Sequence, residues 1–259
     1  IIFPANILLN FYFLPITSQM RYTKYSTNTK MDILLFGIQG SGKGTQARAL
    51  SLALNIPIFE AGAELRKLAA HDTEEGKTIR ELINKGALVP QGIILLKVAD
   101  FLDHPATIDG VIFDGVPRLY EQAIAFQEMM ENKHRDTIAI LIDLDEQSAI
   151  HRVTNRRICN RCQQTFAPEY LHQVCNSCGG VLIHRPDDEH EAIQKRIKNF
   201  YNETVPVIDH YRTLGKLLTV DGNQSVIDVT KDIFNQLSPL LKINHRKLER
   251  AKDVFQLDN

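Results

Sequence analysis

Net charge is almost absent from this 259-residue chain, in which 30 Lys and Arg stand against 31 Asp and Glu. Such a balance makes no global field that would draw in nucleic acid or an anionic membrane, so any anion site must be local. Internal repeats and low-complexity tracts are absent too. The sequence has no apolar run long enough to span a bilayer, because the stretch from Ile1 is broken by Pro4, Asn6, Asn10 and Pro15. That stretch also lacks the order of a secretory signal, since its first basic residue, Arg21, follows the apolar segment. Cysteine is scarce. The four fall in two tight pairs, Cys159 with Cys162 and Cys175 with Cys178, which suits metal better than a disulfide framework and fits a cytoplasmic protein.

What is present is 44% hydrophobic and 24% charged residues, enough for a full core in one α/β domain with insertions. The most specific segment runs from Asp32 to Thr45, an apolar strand entering a glycine-rich turn with one lysine. Gly37, Gly40, Gly42 and Gly44 let the backbone curl so that N–H groups point inward, and the helix opening near Lys43 adds its positive end. Gly37-x4-Gly42-Lys43 matches the phosphate-loop (P-loop) spacing, with the hydroxyl residue displaced by one to Thr45. A plain strand-to-helix connection is the competing reading. Against it, an apolar strand precedes the turn, and Ala47, Leu50 and Leu54 follow at helical spacing.

Residues 1–30 read as a leader, disordered or outside the fold, with Met31 as the expected functional start. From there strands are expected at Asp32–Phe36, Ile56–Phe59, Val111–Asp114, Thr137–Asp143 and Leu217–Val220, each followed by a helical stretch. That alternation predicts a P-loop NTPase-type α/β fold: a five-stranded parallel sheet with helices on both faces and ligands beyond the carboxyl ends of its strands. Two insertions interrupt it, one helical at about 60–89 with Arg66, one at about 152–188 with all the cysteines. After Leu237 the pattern turns basic, with Lys242, His245, Arg246, Lys247 and Arg250 beside Leu241, Leu248 and Phe255, as in a solvated helix.

Twelve residues separate the two Cys-x2-Cys knuckles, a spacing that suits one tetrahedral zinc. Four thiolates leave no open position, so the metal would be structural. Four buried or redox-active cysteines are the alternative. A nucleic-acid-gripping ribbon is disfavoured, since beside Arg156, Arg157 and Arg161 only Phe166 and Tyr170 are there to stack bases. On a continuous helix, Arg152 and Arg156 would share a face, and Arg185 and Arg196 flank Asp187 and Asp188. With Arg66 and Arg118 they make six cations around a phosphate loop, about what a phosphoryl-transfer transition state needs. Asp114 ends an apolar strand, where it either orients Mg2+ through water or serves as a turn residue; Asp187 and Asp188 either join the site or only neutralise the arginines.

These segments, taken in order with Gly86 to Pro90, Gln122 and the run Arg185 to Asp188, resemble the adenylate kinase family in its long, zinc-bearing form, from Met31 to about Leu237. The resemblance implies ATP + AMP ⇌ 2 ADP with Mg2+, one structural Zn2+ on the four cysteines, and a monomer that binds neither nucleic acid nor membrane. It implies a kinase core over 31–240 with an AMP-binding insertion at 60–89, a lid at 152–188 and a tail at 241–259. The catalytic groups it implies are Lys43, Arg118, Arg152, Arg156, Arg185 and Arg196. ATP would meet Gly40, Ser41, Gly42, Lys43, Gly44, Thr45, Arg152, Arg156, Thr165, Phe166 and Gln224. AMP would meet Ala61, Gly62, Arg66, Ala87, Leu88, Val89, Gly115, Val116, Pro117, Arg118, Gln122, Arg185 and Arg196. The chain departs from the family's habit at Gln39, where proline is common, at Val116 for phenylalanine, and at Ala61 and Ala63 for threonine and aspartate. Those departures bear on which monophosphate is accepted. The alternatives are a kinase for another nucleoside monophosphate and a catalytically weak nucleotide-binding regulator.

Overall fold

The computed structural model describes residues 31–162, 164–166, 168, 170–185, 188–241 and 251. The expected leader, Asp187 and the basic tail residues Lys242 to Arg250 and Phe255 lie outside the described residues. Along the chain, β1 (Met31–Phe36) leads into α1 (Lys43–Leu54), β2 (Ile58–Glu60), α2 (Ala61–Ala69), α3 (Glu74–Asn84) and α4 (Gln91–Leu102). Next come β3 (Ile112–Asp114), α5 (Tyr120–Asn132), β4 (Asp136–Asp143) and α6 (Glu146–Asn155). Three very short strands follow: β5 (Arg157–Cys159), β6 (Thr165–Phe166) and β7 (Leu182–Ile183). Then α7 (His190–Asn199) runs through a π-helical turn (Phe200–Thr204) into α8 (Val205–Thr213), before β8 (Leu217–Asp221) and α9 (Val226–Leu241).

The five longer-range strands form one parallel sheet in the order β2-β3-β1-β4-β8, with Ile33 in register with Ile112 on one side and Ile138 on the other. Each expected strand appears within two residues of its predicted ends. The reason is visible in β1, whose six residues are all buried and apolar but for Asp32. Ile33 and Leu35 face a layer built on α1 and α9 with Leu50, Phe234 and Leu237. Leu34 and Phe36 face the opposite layer, built on α4, α5 and α8 with Val98, Phe126 and Tyr211. Burying each such side chain contributes about 1.5–3 kcal/mol, so two full layers fix the sheet in the middle.

At the amino end of the strands, Asp32 is fully buried and engaged. It receives Arg135 Nε and Nη2 at 2.6 Å each and the Val111 N–H at 2.7 Å, while Arg135 Nη2 also donates to the Thr107 carbonyl at 2.9 Å. The second sheet, β6-β5-β7, is antiparallel and carries the cysteines. Its strands of two or three residues are too short to show any periodicity, and the sequence signalled only the knuckles. Where α7 widens into the π-helical turn, Pro206 stands just inside α8 and has no N–H to offer the carbonyl four residues back.

Candidate active site

The phosphate loop joins β1 to α1 at the carboxyl edge of the sheet. Gly40 shows why glycine is needed there: its φ is +91°, and a Cβ would lie 2.9 Å from the Ala149 carbonyl oxygen. Lys43, the first residue of α1, folds back over the loop and donates from Nζ to the carbonyls of Gly37 at 2.7 Å and Ile38 at 3.0 Å. Burial lowers its pKa to about 8, against the pull of the Asp114 carboxylate and with help from the positive charges of Arg118 and Arg156. Asp114, the last residue of β3, has its pKa raised by burial; the Lys43 ammonium opposes that shift. Its Oδ2 lies 3.6 Å from where a side chain on Gly44 would begin, so the carboxylate faces the start of α1.

The arginines converge on this edge from several elements. Arg118 follows β3, with its Nε on the Gly115 carbonyl at 2.8 Å, and lies within electrostatic reach of Arg196, Arg185 and Arg66. Arg156 holds Asp188 through two bonds, Nε to Oδ2 at 2.5 Å and Nη2 to Oδ1 at 2.7 Å, and Arg196 Nη1 reaches the same Oδ1 at 3.1 Å. Asp188 therefore pairs with both arginines, as expected of an aspartate beside them.

Arg152 and Arg156 do not share a helix face. The helix α6 ends at Asn155, and Arg156 already has the extended conformation that carries the chain into β5. Arg152 instead lines a groove of about 300 Å³ with Gln147, Ser148 and His151, and makes no hydrogen bond or ion pair among the described residues.

On the other side of the site, Ala61 and Gly62 open α2, and Arg66 reaches back to Glu60 Oε1 at 3.0 Å. Ala61 is 2% exposed and packs in the core, so its side chain offers no polar atom and little surface. Gln122 is buried with its Oε1 taken by the Arg118 N–H at 2.6 Å, and its Nε2 makes no hydrogen bond among the described residues. Val116 is buried, the Val116–Pro117 peptide is cis, and Gly115 has a positive φ. Ala87, Leu88 and Val89 form the half-buried link from α3 to α4. That link is tied to α7: Asn199 Nδ2 donates to the Gly86 carbonyl at 3.0 Å and Arg196 Nη2 to the Ile83 carbonyl at 3.1 Å. A Cβ on Gly86 would come within 2.5 Å of the Ala192 carbonyl oxygen, so this approach needs glycine. Sequence reasoning missed Asn199 and Thr204, whose hydroxyl donates to the Arg118 carbonyl at 3.2 Å; a lone Asn and Thr on a helix give no signal.

In the second sheet the Sγ atoms of Cys159, Cys162, Cys175 and Cys178 all lie within 4.8 Å of one another. Two of the pairs are at 3.4 and 3.6 Å. Tetrahedral zinc with bonds of about 2.3 Å sets sulfurs about 3.8 Å apart, so the set fits one structural zinc. The N–H groups of Arg161 and Cys162 point at Cys159 Sγ, at 3.4 and 3.5 Å, which favours the thiolate. Phe166 is buried against this cluster with its ring 4.5 Å from that of Tyr170, while Thr165 beside it is exposed. Gln224, between β8 and α9, donates to Asp232 Oδ2 at 2.9 Å. No helix among the described residues is long and apolar enough to cross a membrane.

Residues 35–216 match the adenylate kinase family. The chain is 36% identical over 216 residues to an adenylate kinase from Kosmotoga olearia, covering 81% of this chain and 100% of that one. It is 35% identical over 213 residues to one from Acetivibrio thermocellus, covering 80% and 98%. A third, from Archaeoglobus fulgidus, is 36% identical over 208 residues, covering 78% and 96%.

Proposed function

The chain belongs to the adenylate kinase family, nucleoside monophosphate kinases that move the γ-phosphoryl group of Mg2+-ATP to AMP and so balance the adenine nucleotides, and on that premise we propose how its residues divide the work. The observation that carries the proposal is the meeting of Lys43 and the glycine loop with arginines from several other elements or their ends at one edge of the sheet. No side chain there needs to form a covalent intermediate. Phosphoryl transfer through a loose transition state asks for alignment and charge neutralisation, which is what a loop, a lysine and several arginines supply.

ATP phosphates rest on Gly40 to Thr45, with Lys43 released from the Gly37 and Ile38 carbonyls to follow the moving group. Arg152, with no partner among the described residues, and Arg156 cover the ATP side from 152–188, which acts as the lid. Thr165 and the backbone of Phe166 lie there too, and Gln224 borders the base; the Phe166 ring is spent on the lid core. Asp114 would hold the nucleotide's Mg2+ through water, and that ion, when bound, neutralises charge on the phosphates. Insertion 60–89 receives AMP: Arg66, Arg118, Arg185 and Arg196 take its phosphate, Gln122 offers its amide N–H to the base, and Ala61, Gly62, Ala87 to Val89 and Gly115 to Pro117 shape the walls. We read the protein as a cytoplasmic monomer, as its resemblance to the family implies.

A coupled assay with ATP and each of AMP, GMP, CMP and UMP tests this. Turnover highest with AMP is the expected result. Preference for another monophosphate would overturn the base assignment, and no turnover with any of them would overturn the kinase reading.

A further inference from the structure

Gln39 sits at the tip of the phosphate loop, between Ile38, whose carbonyl holds Lys43 Nζ, and Gly40. One end of its side-chain amide lies 2.9 Å from Arg156 Nη2 and 2.9 Å from Arg196 Nη1. With nitrogen at that position, the amide would press its N–H groups against two cationic donors and gain one long bond of 3.4 Å to Asp188 Oδ1. With oxygen there it accepts two charge-assisted hydrogen bonds at ordinary length, and this orientation is the one physical chemistry selects.

The arrangement has a further property. Asp188 Oδ1 accepts from the same two nitrogens, at 2.7 Å from Arg156 and 3.1 Å from Arg196. Two like-charged guanidinium groups are thus bracketed between a carboxylate oxygen on one side and an amide oxygen on the other. Asp188 takes Nε and Nη2 of Arg156, and Arg196 divides its bonds between Asp188 and the Ile83 carbonyl; none of these acceptors belongs to the phosphate loop. The Gln39 oxygen is an acceptor that ties both guanidinium groups to the loop whose backbone also holds Lys43.

We propose that Gln39 is a positioning residue for phosphoryl transfer, whose side-chain carbonyl aligns Arg156 and Arg196 at the phosphate loop. It rests on the function argued above. A proline or an alkyl side chain at position 39 has no acceptor and removes this tie between the two arginines and the phosphate loop. The transition state, with charge spread over the moving phosphoryl group, loses more from misaligned arginines than the ground state does.

The test uses steady-state kinetics of the full chain with ATP and AMP. Gln39→Met keeps the length of the side chain and removes the acceptor; Gln39→Ala is the second variant should the first disturb the loop. For either, kcat should fall by about tenfold or more, with both KM values within about threefold of the parent and an unchanged melting temperature. In an Arg156→Lys background the same substitution should cost much less, since Gln39 acts through that guanidinium. A kcat within twofold of the parent, a loss confined to KM, or full additivity with Arg156→Lys would overturn the proposal. An unsubstituted chain that makes no ADP would instead fail the function itself, and this proposal with it.

Discussion

The two ends of the central sheet both carry buried charge, and they handle it in opposite ways. At the amino ends of the strands, Asp32 and Arg135 satisfy each other twice over, and a backbone N–H and a carbonyl take the remaining bonds. At the carboxyl ends, Lys43 hydrogen-bonds only neutral oxygens among the described residues and has its pKa lowered by burial, Arg152 has no partner among the described residues, and Arg156 and Arg196 share one carboxylate. The Asp32–Arg135 pair closes on itself inside the fold, whereas the opposite edge gathers more cations than carboxylates, an arrangement suited to an anion. Position in the sheet separates the two kinds, although every residue involved is an ordinary Asp, Arg or Lys.

The largest effect should come from breaking the satisfied end. Arg135→Met leaves Asp32 buried without its partner and should cost about 3–5 kcal/mol of stability in urea melts, with KM values at low temperature unchanged. A small loss would mean that the pair is not the structural anchor described here. Next in size, Lys43→Met should lower kcat by about 100- to 1000-fold, the scale for losing one preorganised charge donor, while the fold melts near the parent temperature. Near-normal turnover in the folded variant would remove the phosphate-loop assignment. Third, the protein should hold one zinc per chain by metal analysis, and Cys175→Ser should lower the melting temperature by several degrees with less effect on turnover in the cold. Metal-free protein that melts like the variant would discard the knuckle site.

The smallest effect concerns pH. Unliganded Lys43 loses its proton near pH 8, whereas a bound phosphate supplies the negative charge that keeps it protonated. Above pH 8, therefore, ATP binding must draw in a proton, and affinity should fall as pH rises, by at most about tenfold per unit. Calorimetry in buffers of different ionisation enthalpy reads that proton directly. Its absence between pH 8 and 9.5 would show that Lys43 stays charged without nucleotide.

The five sheet strands, the phosphate loop and the knuckles were legible because each is local: an apolar run, a glycine spacing, a pair of cysteines. What stayed hidden depends on distance in sequence. Asp32 and Arg135 lie 103 residues apart, and Gln39 meets Arg156 and Arg196 only once the chain has come back from the second sheet. In the sequence Gln39 is merely a departure from family habit; in the fold it touches two of the six arginines. The expectation that Arg152 and Arg156 share a helix face failed for a related reason. Spacing of four implies one face only if the helix continues, and α6 stops between them to release the chain into β5.

On the proposed division of the site, helix α7 would serve both substrates. Near its start stands Asp188, which anchors Arg156 on the ATP side; from its last turn Arg196 and Asn199 hold carbonyls at the end of α3 and just beyond it, on the AMP side. Any tilt of this helix that favours one nucleotide changes the energy of binding the other. Thermodynamic linkage makes that influence symmetric: whatever factor AMP applies to the affinity for ATP, ATP must return to AMP.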